Sequence, residues 1–189
     1  NVSVYESRLR GGAALARSYP VQADLVAGVP DSGLTAAMGY AKASGIPFEM
    51  IFHKNSYVGR TFIKPTQKER ESSVKIKLSV LESVVKGKRI VLVDDSIVRG
   101  TTISNLITML RKAGATEVHV RISSPPFLYP CYFGTDVPSN KQLIASSHST
   151  EEIRQQIGAD SLGYMPIDEL QNMVGDLPIC RACFDSHYP

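Results

Sequence analysis

The pattern of apolar and polar positions divides the chain into short strands that alternate with helices. Runs rich in β-branched and aromatic residues predict four strands, at 24–29, 48–53, 88–93 and 117–122. A helix is predicted at 6–18, ended before Pro20, and an Ala-rich helix at 34–43, closed by Gly45. Strands separated by helices of this length are joined by right-handed crossovers. The sequence therefore predicts an α/β fold with a parallel, twisted sheet flanked by helices.

The pattern changes after Pro125 and Pro126, and the remaining residues are expected to form a shorter C-terminal extension. A helix is expected at 151–157, with Ser149 as its N-cap and Glu152 three residues later, which is the spacing of a capping box. We find neither an internal repeat nor a low-complexity linker. We therefore predict one domain over 1–189, with a core at about 1–124 and an extension at about 125–189.

The run RIVLVDDSIVRGTT at 89–102 places two adjacent carboxylates, Asp94 and Asp95, directly after an apolar strand. In a parallel sheet, the loop that follows faces the ligand crevice at the carboxyl ends of the strands. Gly100 lets a phosphate approach the backbone, and the N-terminus of the next helix attracts an anion. The paired acids suit a diol or a divalent cation, so the run predicts a site for an activated phosphoribose.

The helix after this loop carries an apolar stripe at Ile103, Leu106, Ile107 and Leu110. Thr101 or Thr102 is expected to cap this helix. One alternative is the Walker-B strand of a nucleotide hydrolase. Its P-loop requires a lysine, however, and Leu34 follows the nearest glycine-containing loop, at 28–33. The other alternative is a pair of solvated acids at the end of a strand.

A second loop of the same kind, at 29–33, also follows a strand and precedes a helix. Two anion-binding loops at one edge of a sheet suit a ligand with two phosphate ends. Taken alone, this loop has the alternative of an ordinary turn in which Asp31 or Ser32 caps the helix.

The segment 54–77 is polar and mostly basic, contains Pro65 and has no clear periodicity. A loop of this length inside a compact domain is typical of a lid or a disordered segment, and its positive charge suits an anionic substrate. The alternatives are a solvated basic loop or a nucleic-acid patch. Tyr57 and Phe62 are too few aromatic residues for a base-stacking surface, so no nucleic-acid partner is expected.

Together these motifs resemble the type I phosphoribosyltransferases, whose phosphoribosylpyrophosphate (PRPP) motif matches 89–102. Further stretches are similar to the glutamine PRPP amidotransferases, at 28–33, 54–63, 123–126, 130–134, 143–149 and 157–160. The resemblance implies the phosphoribosyltransferase domain of that family. Such a domain forms 5-phosphoribosylamine and pyrophosphate from PRPP and ammonia, in the first step of purine synthesis.

The resemblance also implies the roles of individual residues. Catalytic residues would be Asp94, Asp95, Arg60 and Lys77. Substrate-binding residues would be Asp31, Ser32, Gly33, Lys54, Tyr57, Ser96, Ile97, Val98, Arg99, Gly100, Thr101 and Thr102. Mg²⁺ would be held by Ser32, Asp94 and Asp95, and the segment 54–77 would close over pyrophosphate. Breaking the bond from ribose C1 to pyrophosphate then requires positioning and charge stabilisation rather than a protein nucleophile.

The chain has three cysteines, Cys131, Cys180 and Cys183, and the last two form a C-x-x-C pair. By resemblance to one branch of the amidotransferases, they match three of the four ligands of a [4Fe–4S] cluster. Since four thiolates are the usual shell, the fourth ligand is missing here. A zinc site that includes His187, one helical turn after Cys183, and inert thiols are the alternatives.

Composition and charge change this interpretation little. A hydrophobic fraction of 43% and a charged fraction of 21% are ordinary for a globular protein, and the net charge of +3 does not indicate nucleic-acid binding. We find no apolar run long enough for a membrane span and no signal peptide, so no membrane partner is expected. An odd number of cysteines without disulfide spacing favours a reducing, cytoplasmic compartment.

The N-terminal glutaminase of the amidotransferases, with its cysteine nucleophile, has no counterpart in this sequence, because residue 1 is Asn and no cysteine precedes Cys131. We therefore expect turnover with ammonia and not with glutamine. The resemblance further implies a homo-oligomer that purine nucleotides inhibit. The alternatives are another phosphoribosyltransferase, for nucleobase salvage or orotate, and a non-catalytic PRPP sensor. The basic segment 54–77 argues against both alternatives. The C-terminal stretches argue against another phosphoribosyltransferase.

Overall fold

The chain folds as a central sheet with helices on both faces and a separate pair of short strands. The computed structural model describes residues 1–54, 78–134 and 139–189. In chain order the helices and strands are α1 (Val4–Ser18), β1 (Leu25–Gly28), α2 (Leu34–Ser44), β2 (Phe52–Lys54), β3 (Leu78–Val80), α3 (Glu82–Val85), β4 (Arg89–Asp94), α4 (Thr101–Lys112), β5 (Glu117–Ile122), α5 (Thr150–Ile157), β6 (Ser161–Tyr164), α6 (Glu169–Val174) and α7 (Ala182–Asp185). Two 3₁₀ turns, Asn140–Gln142 and Ile144–Ser146, precede α5. None of the helices in these ranges is both long and apolar enough to cross a membrane.

The central sheet contains β1, β4, β5 and β6, which lie parallel in the order β1-β4-β5-β6. Successive residues of β4 point to opposite faces. Ile90 and Leu92 belong to the core that includes α4 and α5, and Val91 and Val93 to the core that includes α1 and α2. A strand covered on both faces is continuously apolar, which is why 89–93 was recognisable in the sequence. The predicted α/β fold, a parallel sheet flanked by helices, is confirmed.

The strand predicted at 48–53 is wrong in its extent, and the strand found there, β2, lies outside the parallel sheet. Phe48 makes only an isolated parallel bridge with Val26 of β1. Val26 donates to the Pro47 carbonyl over 2.8 Å, and Glu49 donates to the Val26 carbonyl over 2.9 Å. Pro47 has no N–H, so the pairing with β1 cannot extend on the N-terminal side of this bridge, and among the described contacts it does not continue past Glu49. The chain leaves the central sheet, and β2 then pairs antiparallel with β3.

The sequence does not predict β6, which lies beside β5 from Ser161 to Tyr164. Its four residues, SLGY, include a glycine and are too few for an alternating pattern to be recognised. This strand completes the described sheet with residues that lie beyond 124. The division of the domain near residue 124 stays a prediction, and the structure adds that the C-terminal part supplies a strand.

The capping box predicted before α5 is confirmed. The Ser149 hydroxyl accepts a hydrogen bond from the Glu152 amide at 3.3 Å, and the Glu152 carboxylate accepts one from the Ser149 amide at 2.7 Å. Both bonds satisfy backbone donors that the first helical turn leaves open. They fix the start of α5, whose Ile153 and Ile157 pack into the core beneath α4.

Two glycines allow α1 and α2 to pack in direct backbone contact. A Cβ atom placed on Gly12 would lie 1.9 Å from the Ala36 carbonyl oxygen, and one on Gly39 would lie 2.1 Å from the Leu9 carbonyl oxygen. Both atoms belong to backbone, so neither contact can be relieved by a side-chain rotation. Since α2 begins directly after the loop 29–33, this helix pair determines where that loop leaves the sheet.

Substituting Gly12 with Ala should lower the free energy of unfolding by about 1–3 kcal/mol or more, because the added methyl group overlaps backbone atoms of α2. Urea denaturation followed by circular dichroism measures this change. Gly134→Ala is the control, because a Cβ atom there meets nothing within 4 Å. Equal urea midpoints for Gly12→Ala and Gly134→Ala would show that α1 and α2 accommodate the added methyl group without a loss of unfolding free energy.

Candidate functional site

Asp94 and Asp95 lie at the carboxyl end of β4 in different environments. Asp94 is the last residue of the strand and is only 7% exposed, whereas Asp95 is exposed. The Asp95 amide donates to Asp94 Oδ1 over 2.8 Å, and Ser96 Oγ donates to Asp95 Oδ1 over 3.2 Å. The two acids are thus connected, but only Asp95 is open to solvent.

Burial, together with the negative charge of Asp95, raises the pKa of Asp94 to about 8. The amide of Asp95 acts in the opposite direction and only partly compensates. In the ligand-free protein, Asp94 therefore keeps its proton at neutral pH. A cationic group near the pair would favour the ionised form, so this arrangement suits a positive charge placed above the end of β4.

The β4–α4 loop, residues 95–100, ends at Gly100, which has φ = +80° and is the N-cap residue of α4. The prediction that Thr101 or Thr102 caps this helix is wrong, because both are already helical and the described structure has no side-chain cap at this end. Glycine adopts this left-handed conformation without strain. The exposed threonine hydroxyls and the first amides of α4 are consequently available to an anion.

The β1–α2 loop, residues 29–33, lies directly against the end of β4. Val29 donates to the Val93 carbonyl over 2.8 Å. A Cβ atom on Gly33 would lie 2.4 Å from the same carbonyl oxygen, so only glycine fits. Gly33, and not Asp31 or Ser32, is the N-cap residue of α2. The expected meeting of the two loops at one edge of the sheet is therefore seen, since each lies next to the last residues of β4.

Lys54, at the end of β2, forms an ion pair with the Asp31 carboxylate of the β1–α2 loop. The side chains are 32% and 70% exposed, respectively. This contact brings a predicted cationic residue to the loop that was expected to bind pyrophosphate. Three other predicted residues, Tyr57, Arg60 and Lys77, lie outside the described residues.

The remaining predicted residues of the β4–α4 loop differ in orientation. Ile97 is 3% exposed and packs in the core, so only its backbone is open to a ligand. The Val98 carbonyl accepts a hydrogen bond from the Ile144 amide over 2.8 Å. Arg99 donates to the side-chain oxygen of Gln142. Sequence reasoning missed Gln142 and Ile144, because no local pattern links them to a loop more than 40 positions earlier.

The cysteines approach one another at the C-terminal end of the chain. Burial raises the pKa of the Cys183 thiol, and charge on Cys131 and Cys180 raises it further. Leu128 and Tyr129 donate to the Cys183 carbonyl over 3.0 and 3.1 Å, which brings the segment before Cys131 against α7. Over residues 1–54, 78–134 and 139–189, however, no three His, Cys, Asp or Glu side chains are arranged to hold a metal ion.

The unfolding free energy should fall by about 1.4 kcal/mol per pH unit between pH 4 and 8 through Asp94 alone. Its pKa rises from an ordinary 3.8 to about 8 on folding, so the folded state binds a proton that the unfolded state has lost. The stabilisation is complete below pH 4 and is lost as the pH rises through 8. Urea titrations across this range should show a flatter profile for Asp94→Asn than for wild type.

Asp176→Asn is the matched control for this measurement, because it removes an exposed carboxylate and leaves both Asp94 and the neighbouring charge of Asp95 unchanged. Parallel profiles for wild type and Asp94→Asn would show that Asp94 is not protonated in the folded protein.

Comparison with known proteins agrees with this arrangement. A model of the phosphoribosyl transferase domain family matches residues 12–123, more than half of the chain. The amidophosphoribosyltransferase of Bacillus subtilis is 53% identical over 100% of this chain and 41% of its own length. That of Pyrococcus horikoshii is 54% identical over 100% of this chain and 41% of its own length, and the chloroplastic enzyme of Glycine max 52% identical over 99% and 33%. The chain thus spans between a third and two fifths of the length of these relatives.

Two solved structures superpose closely on the chain, each with a TM-score of 0.88 and 53% identity over 100% of it. One is glutamine PRPP amidotransferase from B. subtilis complexed with ADP and GMP, of which 43% is covered. The other is an allosteric regulatory enzyme of purine biosynthesis, of which 42% is covered. The resemblance inferred from the sequence is confirmed. Since the matched residues carry both loops and the paired acids, the chain belongs to the phosphoribosyl transferase domain family.

Proposed function

We propose that the chain is the phosphoribosyltransferase part of an amidophosphoribosyltransferase, which transfers ammonia to C1 of PRPP and releases pyrophosphate and 5-phosphoribosylamine. One observation carries the proposal. Two anion-binding loops meet at the end of β4 beside Asp94 and Asp95, in a chain 53% identical along its whole length to an amidophosphoribosyltransferase.

Each part of PRPP has a complementary group in this arrangement. The 5-phosphate binds the β4–α4 loop and the first turn of α4, where Gly100 leaves the backbone open. The pyrophosphate binds the β1–α2 loop together with Lys54, the cation nearest to that loop in the described contacts. The ribose hydroxyls lie between them, within reach of Asp94 and Asp95.

The reaction needs charge stabilisation at two places. As the bond from C1 to pyrophosphate breaks, positive charge develops on the ribose ring and negative charge on the leaving group. Asp94 and Asp95 stabilise the positive charge on the ribose ring. Lys54 and the amides of the β1–α2 loop stabilise the negative charge on the leaving pyrophosphate. Arg60 and Lys77 from the segment 54–77 complete the proposed set, with Tyr57 as a further contact, and closure of that segment excludes water.

Magnesium fits this donor set, because Asp94, Asp95 and Ser32 offer hard oxygen atoms and Mg²⁺ is usually held by one or two carboxylates with substrate phosphates. When bound, it would neutralise charge on the pyrophosphate. An iron–sulfur cluster fits less well. The sequence supplies three thiolates, Cys131, Cys180 and Cys183, where a cluster normally takes four. We therefore propose a [4Fe–4S] cluster only for a longer protein that brings the fourth.

The proposal has three further features. The B. subtilis structure complexed with ADP and GMP supports purine nucleotides as inhibitory ligands of this chain. A homo-oligomer and a cytoplasmic location complete the proposal. Neither of these two depends on the geometry of the site.

With PRPP, Mg²⁺ and ammonia, the purified chain should release pyrophosphate and form 5-phosphoribosylamine, which the next enzyme of the pathway traps. Asp94→Ala and Asp95→Ala should each lose about 10²-fold in kcat/KM, because each removes charge stabilisation from the reacting ring. Melting curves verify that the variants are folded. Pyrophosphate release that requires a nucleobase or orotate would identify a different transferase, and PRPP binding without turnover would identify a sensor.

Asp31→Asn should tighten pyrophosphate binding about two- to fivefold, because the ion pair with Lys54 is partly exposed and worth at most about 1 kcal/mol. In the ligand-free protein the Asp31 carboxylate forms an ion pair with the Lys54 ammonium group that the anion needs, so in this proposal Asp31 competes with pyrophosphate, unlike the substrate-binding role that the resemblance implies. Isothermal titration measures the affinity, with Asp176→Asn as a control of equal charge change at an exposed position. Unchanged or weaker binding in Asp31→Asn would show that Asp31 does not compete for Lys54.

A further inference from the structure

The β4–α4 loop is contacted by a segment far away in the sequence, Asn140–Ser146, which we call the buttress. The Ile144 amide donates to the Val98 carbonyl over 2.8 Å. Arg99 donates to the side-chain oxygen of Gln142. The third contact is steric, since a Cβ atom on Gly100 would lie 3.2 Å from Ile144 Cδ1. Two consecutive loop residues thus form hydrogen bonds with the buttress, and the third lies beside it with little room for a side chain.

The buttress is itself fixed to the body of the protein. Leu143 is only 2% exposed and anchors its centre. The Ser146 hydroxyl lies 2.9 Å from the Asn140 carbonyl oxygen and 2.7 Å from that of Leu143, so it closes the two 3₁₀ turns on each other. The His148 amide donates to the Ile144 carbonyl over 3.1 Å, which continues the bonding towards α5. A segment bonded in this way can hold a neighbouring loop in one conformation.

The loop needs such support because it has left the sheet. Residues 95–100 lie after the last ladder position of β4, and Gly100 adds a residue with no side chain to pack. Binding a phosphate through backbone amides requires those amides to be oriented before the ligand arrives, since ordering them afterwards reduces affinity. The family match covers the loop but ends at residue 123, so the buttress lies beyond the matched region.

We propose that the buttress is a positioning element for the β4–α4 loop, and that Gln142 is a positioning residue that acts through Arg99 to set the affinity for the sugar-phosphate end of the substrate. This rests on the proposed function, which assigns the 5-phosphate to that loop. The pyrophosphate end is assigned to the β1–α2 loop, which is bonded to β4 and Lys54 and has no hydrogen bond to the buttress among the described residues. A change at Gln142 should therefore alter the affinity for the sugar-phosphate end of the ligand and leave the affinity for the pyrophosphate end unchanged.

Titration calorimetry with ribose 5-phosphate and, separately, with Mg²⁺–pyrophosphate tests this. In Gln142→Ala, the Kd for ribose 5-phosphate should rise about five- to tenfold, the effect of losing one hydrogen bond to a charged group near the surface. The Kd for Mg²⁺–pyrophosphate should stay within about twofold of wild type. In steady-state assays, KM for PRPP should rise with kcat unchanged. A general loss of stability would instead lower the apparent kcat, because less of the enzyme would be folded.

Two companion variants define the interaction. Gln142→Glu keeps an acceptor for Arg99 and should retain wild-type affinity. Gln142→Met keeps the length of the side chain but removes the acceptor, so it replaces Gln142→Ala if that variant proves unstable. Gln155→Ala is the matched control, since it removes the same side chain from an exposed hydrogen bond with Glu151 on α5. In protein that already carries Arg99→Ala, adding Gln142→Ala should not raise the Kd for ribose 5-phosphate any further, because the two residues act as one unit.

The outcomes are distinguishable. Wild-type protein that binds neither ribose 5-phosphate nor PRPP overturns the proposed function, and the role of Gln142 with it. Wild-type binding together with an unchanged ribose 5-phosphate Kd in folded Gln142→Ala overturns the positioning role alone. Equal weakening of both ligands, or additive losses with Arg99→Ala, also overturns it.

Discussion

The candidate site depends on one contact, in which the β1–α2 loop closes against the carbonyl end of β4. The Val93 carbonyl accepts a hydrogen bond from Val29 and lies so close to Gly33 that a larger residue has no room. This contact fixes the distance between the N-termini of α2 and α4, which are the two ends that we propose bind the phosphate groups of the substrate. The backbone packing of α1 on α2 supports it from behind, because that packing determines where α2 starts.

Asp94 shows how position alone gives two adjacent carboxylates different chemistry. The last residue of a buried strand keeps its side chain in the core face of the sheet, whereas the next residue has already turned outward. Burial therefore favours the neutral form of Asp94 near pH 7, whereas Asp95 is exposed to solvent. A positive charge above the pair would favour the ionised form of Asp94. The protonation of Asp94 should therefore change when a cation binds, or when positive charge develops, at this edge of the sheet.

Sequence reasoning recovered the parts of the fold that have a local signature. The continuous apolar runs at β4 and β5 and the stripe of Ile103, Leu106 and Leu110 on α4 were recognised because burial imposes a fixed spacing. The prediction of a threonine N-cap was wrong, because Gly100 in the left-handed conformation is the N-cap residue and α4 already begins at Thr101. The contacts of Gln142 and the strand β6 could not be found, since each depends on residues distant in the chain.

The position of β6 at the edge of the sheet has a consequence for what counts as a folding unit. A chain ended at residue 123, where the family match stops, would leave β5 with a free row of amide and carbonyl groups beside the apolar residues Val118, Val120 and Ile122. An open apolar edge of this kind recruits strands from other molecules. The C-terminal residues replace this edge with that of β6, which is only four residues long and so offers a shorter template for aggregation.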